Sequence, residues 1–487
     1  MAIVSYGRAL SLHAEQQPDA VAIAHEGRSV SRSELEASSR RMARCFAEHG
    51  VGVGDFVTIA LPNGIRFLEA TFAAWKLGAV PQPVSSQLPQ AERNAILDRA
   101  QPSLVFGVAA GTHNDLTCLP EDHDTSSYDD APLRDVLPPN RQALASGGST
   151  GTPKVIVDIL PAEVDPDVAF YGIEPGRTSL IPGPLYHAGP FINATVTLLT
   201  GGDLVMMTRF DPREVLKLIE KHRIAFVNLV PTMLQRIWRL PEEERTAFDL
   251  SSLQSVYTSG AACPAWLKRA WIDWLGPERI FEAYGATERI GGTMITGTEW
   301  LKRPGSVGRP THGRKLKIVG DNGEELPAGE IGEVYMMPPG GQGSTYRYIG
   351  AEPRATRDGW ESLGDMGYID EDGFLYLADR RTDMIVTGGS NVYPAEVEAA
   401  LDAHPNVQSS AVIGLPDDDL GQSVHAIVEA HPPVSESELR SHLEELLVRY
   451  KTPRSFEFSD EPLRDDAGKV RRSQLRDQRI DRARDSR

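Results

Sequence analysis

Apolar positions along the chain fall into a repeating order of helix and strand. Over "SELEASSRRMARCFAEHG", residues 33–50, Leu35, Met42, Ala43 and Phe46 share one helical face and a glycine closes the run. "DFVTIALPN" then reads as a buried strand and turn, and "FLEATFAAWKLGAV" as a second helix. The pattern returns at "AFVNLVPTMLQRIWRL", where an apolar strand runs into Pro231 and a helix, and at "LQSVYTSGAACP", a strand ending in small residues. This rhythm predicts an α/β domain with a largely parallel sheet.

Between about Lys315 and Ala378 the texture changes to short strands broken by Gly, Pro and Asp, as in "KLKIVGDNGEELPAGEIGEVYM". Beyond "RRTDMIVTGG" come a helix at "AEVEAALDAHP", strands at "VQSSAVIGLPD" and "SVHAIVEA", and a helix at "SESELRSHLEELLVRY". A unit of about 100 residues in that order predicts a small α+β domain. The expected division is residues 1–380, parallel-sheet α/β layers plus a β-rich subdomain, and residues 381–487, with the boundary near Arg380 to Asp383. No internal repeat or low-complexity segment interrupts this plan.

With 487 residues the chain exceeds one ordinary core, which agrees with more than one domain. Its formal charge of −18 disfavours nucleic acid and anionic membrane as main partners, so a polyanionic substrate must meet a local cationic site. Cys45, Cys118 and Cys263 are scattered and lack metal spacing, which reads as buried thiols in a reducing compartment. The N-terminus has no signal-like apolar run and no stretch has the length of a membrane span, so a cytoplasmic protein without stable membrane association is expected. The basic tail after Lys469 is interspersed with aspartates and reads as a solvated helix.

One stretch raises a chemical question: "LASGGSTGTPKVIV", Leu144 to Val157. Gly147-Gly148-Ser149-Thr150-Gly151 spells G-x-S-x-G, the elbow that presents a nucleophilic serine at a strand-to-helix turn. Pro153 stands where that helix should already run. The competing reading is a loop whose glycines let backbone N–H groups approach phosphate, with Ser149 and Thr150 as donors and Lys154 as a charge. A plain surface turn is the third.

Four separated segments, taken together, choose among these. They are "SGGSTGTPK" (146–154), "YGATE" (284–288), "GDMGYIDEDGFLYLADRRTDMIVTGGSNVYPAEVE" (364–398) and "AGKVRR" (467–472). In this order the chain resembles, over almost its whole length, the adenylate-forming superfamily of acyl-CoA synthetases, peptide-synthetase adenylation domains and firefly-type luciferases. The resemblance implies that Ser146, Gly147, Gly148, Ser149, Thr150, Gly151 and Lys154 hold the β- and γ-phosphates of ATP. A carboxylate then attacks the α-phosphate and pyrophosphate leaves, a transfer that needs charge neutralisation and positioning more than covalent help.

The same resemblance assigns the other segments. Glu288 is implied as the Mg²⁺ ligand and Thr287 as a donor to the α-phosphate. Tyr284, with Gly285 beside it, would stack on adenine near Gly260, Ala261 and Ala262. Asp365 would accept from the ribose hydroxyls, followed by Arg380 at the domain junction. Lys469 resembles the catalytic lysine of a mobile C-terminal domain, His187 in "PLYHAGP" a ring lining the acyl pocket, and Gly388 and Gly389 the glycines along the pantetheine channel. Residues near 186–193, 257–262 and 290–294 would line that pocket.

Val155 replaces a common glycine after the loop lysine, Asp379 a common glycine before Arg380, and Thr382 occupies a hinge position often Asp or Lys. The implied function is activation of a fatty, aromatic or steroid-type acid to an acyl-adenylate and transfer to CoA, with ATP and Mg²⁺. About 18 residues follow Lys469, so no fused carrier domain is expected and a free-standing ligase is favoured. The alternative acceptors are a carrier protein, an amine, or nitrite activated for diazotisation of an aryl amine. A homodimer is compatible with the resemblance, as dimers are common among such enzymes. A serine hydrolase and a nucleotide-binding module without catalysis are the readings from other classes.

Overall fold

The computed structural model describes residues 2–485 apart from residues 114, 148–152, 171, 418 and 466–467. The first predicted helix spans Arg32–Glu48 and opens on a capping box, the Ser31 hydroxyl accepting from the Glu34 N–H while the Glu34 carboxylate accepts from the Ser31 N–H. Its apolar stripe, Leu35, Met42, Ala43 and Phe46, is wholly buried. The helix Ile65–Lys76 packs against it.

The α/β rhythm builds two parallel sheets. In the larger, the strands Val21–His25, Leu204–Met206, Ser179–Ile181, Phe226–Asn228, Ser255–Thr258 and Ile280–Gly285 lie side by side in parallel. Antiparallel edges close it at Arg28–Ser31 and at Gly292–Thr296 with Arg309–Pro310. Alternation sorts its side chains: Phe226 and Tyr257 enter the core shared with the helix Ala188–Leu199, and Val227 and Val256 the opposite core with the helix Pro231–Trp238. The smaller sheet orders Val80–Pro83, Phe56–Ile59, Leu104–Phe106 and Cys118–Leu119, all parallel.

The β-rich region forms an antiparallel sheet of Lys315–Val319, Gly332–Met337, Glu361–Ile369 and Leu375–Arg380. A further antiparallel sheet joins Gln142–Gly147 and Pro153–Asp158 to the distant strand Tyr346–Ile349. The C-terminal part has its own core, in which Val397 and Leu401 of the helix Pro394–Asp402 and Leu439 and Leu443 of Glu436–Leu446 cover a mixed sheet of Ser390–Val392, Ile385–Thr387, Gly421–Ala430, Val407–Asp417 and Ser455–Phe458. The tail forms the helix Arg472–Asp485, which Arg479 ties to Glu457 through two hydrogen bonds of 2.7 and 2.8 Å. Cys45 and Cys118 are buried, and Cys263 is half-buried.

The C-terminal unit rests on the helix Pro231–Trp238. Arg239, at its end, donates to the carbonyls of Asp402 and Val407, and Gln235 donates to that of Asp402. Thr232, on the same face, meets the backbone of Gly468. Among the described residues no helix is long and apolar enough to cross a membrane.

Candidate active site

The segment that raised the chemical question is a β-hairpin. Ser146 and Gly147 end the strand Gln142–Gly147, and their backbones pair with Lys154 and Pro153 at the start of Pro153–Asp158. A strand therefore follows where the serine elbow requires a helix. Gly148, Ser149, Thr150 and Gly151 lie outside the described residues. The hairpin accounts for Val155 as well: it is fully buried, between Ala145 and Ile349 on the neighbouring strands.

Lys154 emerges from this strand toward Glu288. Its Nζ donates to Glu288 Oε1 at 3.1 Å and to the Tyr348 hydroxyl at 2.8 Å, and that hydroxyl donates to the same Oε1 at 2.7 Å. Glu288 is buried, and its place is held by its neighbours. Thr345 Oγ1 donates to the Glu288 carbonyl at 2.9 Å, and the adjacent Arg289 donates to the buried Asp158 carboxylate at 3.0 Å. Thr287 is half-buried in the turn between the strand Ile280–Gly285 and Glu288.

Burial, followed by the Glu288 charge, pushes the Tyr348 hydroxyl far above the usual phenol range, so it remains a donor throughout the neutral range. Tyr348→Phe is expected to lower kcat/KM for MgATP by ~3–10-fold, mostly through KM, because one bridging hydrogen bond is lost and the Lys154–Glu288 pair is kept. Initial rates of pyrophosphate release against MgATP concentration measure it.

A second cluster forms where the large sheet meets the β-rich one. The Tyr284 hydroxyl donates to Asp365 Oδ2 at 2.6 Å. Asp365 is opposite Arg380 in the register of Glu361–Ile369 and Leu375–Arg380. Gly285 ends its strand exposed, facing Gly292. Gly260, at φ +88°, starts the turn after Ser255–Thr258, which continues through half-buried Ala261 and exposed Ala262.

The third group is carried by two units. His187 caps the helix Ala188–Leu199, its ring 4.4 Å from that of Tyr186, and its Nε2 is buried without a partner. Burial, reinforced by the nearby Lys469 charge and partly offset by Asp465, holds the ring down to about 4, so it is neutral at physiological pH. Lys469 itself is exposed and belongs to a tight turn: Asp465 Oδ1 accepts from its N–H at 2.9 Å, and its carbonyl accepts from the Asp465 N–H at 3.0 Å. Gly468 in this turn has φ +75°, and a Cβ there would approach Thr232 Oγ1 to 2.8 Å.

Gly388 and Gly389 form the exposed two-residue turn between Ile385–Thr387 and Ser390–Val392, with φ of +54° and +80°. That turn type already demands residues tolerant of positive φ. Asp379, in place of a glycine, accepts the Ala395 N–H at 2.7 Å at the start of the helix Pro394–Asp402. Thr382 is exposed, with its hydroxyl 3.3 Å from Asp383 Oδ1.

Sequence reasoning missed Tyr348, Arg289, Asp158 and Thr232. Tyr348 comes to Lys154 from 194 residues away through strand pairing. Only the spacing of Arg289 directly after Glu288 was open to view.

Comparison with known proteins shows the family. Residues 10–346 match the family model described as AMP-binding enzyme, and residues 396–469 that of the AMP-binding enzyme C-terminal domain. The chain is 32% identical over 487 residues to a feruloyl-CoA synthase of an Amycolatopsis species, covering 95% of this chain and 96% of that one. It superimposes on o-succinylbenzoate CoA synthetase from Bacillus subtilis in complex with its acyl-adenylate intermediate, with a TM-score of 0.80, 26% identity and 98% of both chains covered. The same synthetase in complex with ATP and magnesium ion gives 0.80 and 27%, covering 97% of this chain and all of that one. The chain belongs to the AMP-binding enzyme family, the adenylate-forming superfamily that includes the acyl-CoA ligases.

Proposed function

We propose that this ligase joins an aromatic carboxylic acid to CoA through an acyl-adenylate. The observation that carries the reading is the pairing of Lys154 with Glu288 at 3.1 Å. It sets a cation suited to phosphate oxygens beside a hard carboxylate suited to their metal ion, next to the carboxyl ends of parallel strands where open α/β sheets bind ligands. Magnesium needs only one or two protein carboxylates when phosphates supply its other oxygens, and the buried Glu288 fits that demand. Two relatives, named for feruloyl-CoA and o-succinylbenzoate, take aromatic acids, which supports an aromatic acid here; others at similar identity are named for fatty acids and sulfoacetate.

In the first half-reaction an acid oxygen bonds to the α-phosphorus as the bond to pyrophosphate breaks. Ser146 to Gly151 and Lys154 hold the leaving phosphates, Glu288 holds Mg²⁺, Thr287 donates to the α-phosphate, and Lys469 offsets the charge at the forming anhydride. Tyr284 stacks on adenine beside Gly285 and Gly260 to Ala262, while Asp365, oriented by the Tyr284 hydroxyl, and Arg380 hold the ribose. In the second half-reaction the thiol of CoA attacks the acyl carbon and AMP leaves. For this the unit 381–487 turns about the boundary near Arg380 and Thr382, bringing Gly388 and Gly389 to the pantetheine path while His187 lines the acyl pocket.

The test is pyrophosphate release from ATP and Mg²⁺ with a panel of acids plus nitrite, with and without CoA. Release that requires an aromatic acid, with a CoA thioester in the mass spectrum, is the expected result. Turnover that ignores CoA but responds to a carrier protein, an amine or nitrite would refute the acceptor; no release with any partner would refute adenylation.

A further inference from the structure

Two buried side-chain amides lie between the helix Ala188–Leu199 and the large sheet. Asn193 is 5% exposed and Asn228 3%, and the Nδ2 of each is shielded from solvent without a hydrogen-bond partner. Native interiors contain few such groups, because an unpaired buried donor opposes folding.

Their placement follows from the register. Asn228 shares a strand face with Phe226, which enters the core with Phe191 and Ala194 of the helix. Asn193 stands one turn before Thr197, whose Oγ1 donates to Ser179 Oγ at 2.9 Å, so this side of the helix looks onto the sheet. Ser179 is level with Phe226 in the parallel pairing. Asn228 lies two residues, ~6.6 Å, beyond that level toward the carboxyl ends of the strands. Asn193 lies four residues, ~6 Å, beyond it on the helix, which runs back between the parallel strands Ser179–Ile181 and Leu204–Met206.

The two amides are therefore at one height on opposing surfaces. His187, whose Nε2 is also buried and unpartnered, is six residues or ~9 Å nearer the carboxyl ends on the same helix, where Lys469 bears on its ring. His187 thus marks the reacting end, and the two unpaired amide donors lie deeper along the seam between this helix and the sheet. Aromatic rings flank it, Phe226 and Tyr257 with centroids 6.0 Å apart.

We propose that Asn193 and Asn228 are the specificity-determining donors of the acid pocket, and that the acid is an aromatic carboxylic acid carrying an oxygen acceptor ~9 Å from its carboxylate. This rests on the acid-activating reading and narrows it. A hydroxyl, methoxy or keto oxygen at that depth satisfies both amides. An alkanoic acid or an unsubstituted arene of the same length leaves them unpaired and is rejected. Asn193 falls within the pocket stretch expected from the sequence; Asn228 does not.

The experiment is acid-dependent ATP–pyrophosphate exchange with 4-hydroxycinnamate, cinnamate and decanoate as probes. The wild-type chain is expected to favour 4-hydroxycinnamate over both others by at least ~10-fold in kcat/KM. In Asn193→Leu and Asn228→Leu that preference falls by ~10-fold through loss of exchange with 4-hydroxycinnamate, and the melting temperature does not drop, since an unpaired donor is removed. If a leucine variant fails to fold, Asn193→Ser and Asn228→Ser take its place in the same comparison. Equal exchange with cinnamate or decanoate in the wild type, or a parallel fall for both arenes in the variants, overturns the assignment and leaves acid activation standing. Absence of exchange with every acid overturns both.

Discussion

Lys469→Ala is expected to slow acyl-adenylate formation by ~100–1,000-fold, the cost of ~3–4 kcal/mol that accompanies loss of one group aimed at developing charge. Thioester formation from acyl-adenylate supplied ready-made should stay within ~3-fold, because the proposed turn of the unit 381–487 carries Lys469 away from the acyl-phosphate before the thiol attacks. Single-turnover assays of the two half-reactions separate these outcomes, and an equal loss in both would remove Lys469 from its role. The turn that presents the lysine gives an independent control. Gly468→Ala adds a Cβ at 2.8 Å from Thr232 Oγ1 in a backbone with φ +75°. It should displace Lys469 and reproduce part of the same selective loss with Lys469 itself intact.

Glu288→Gln should lower kcat/KM for MgATP by ~100-fold or more. The substitution retains a side-chain oxygen that can accept from Tyr348 and Lys154, so the local structure persists while the charge proposed to hold Mg²⁺ is lost. Raising the Mg²⁺ concentration should recover part of the rate, whereas the same titration should leave Lys469→Ala unmoved. Glu288→Ala removes the shared acceptor of the Tyr348 and Lys154 hydrogen bonds, so its melting temperature should also fall. A Glu288→Gln enzyme with wild-type kcat/KM and Mg²⁺ dependence would exclude this carboxylate as the metal ligand.

Much of this machinery could be read before any coordinates. The helix Arg32–Glu48 and its capping box, and the strand Phe226–Asn228 running into Pro231 and a helix, lie in windows of about twenty residues where periodicity and end signals act. The order of the motifs around Lys154, Glu288, Asp365 and Lys469 identified the superfamily, because each motif needs particular residue types at fixed short spacings. Even so, G-x-S-x-G left hairpin and elbow open from its own residues. Pairing of its second strand with Tyr346–Ile349 supplies the neighbour that fixes the hairpin in a sheet.

Other features had no local signal. Tyr348 looks like any aromatic residue of a short strand until register brings its hydroxyl between Lys154 and Glu288. Asn228 reads as a polar interruption of an apolar strand, and only its level with Asn193 and the lack of a partner for the Nδ2 of each give it meaning. Thr232 is one more residue in the first turn of a helix until Gly468 meets it. By itself the sequence determined which segments become helices and strands and which chemical groups the protein carries, since propensity, capping and motif spacing act over a few residues. The tertiary structure alone decided which of those groups meet, because sheet register and the packing of distant segments depend on contacts between residues 60 to more than 200 positions apart.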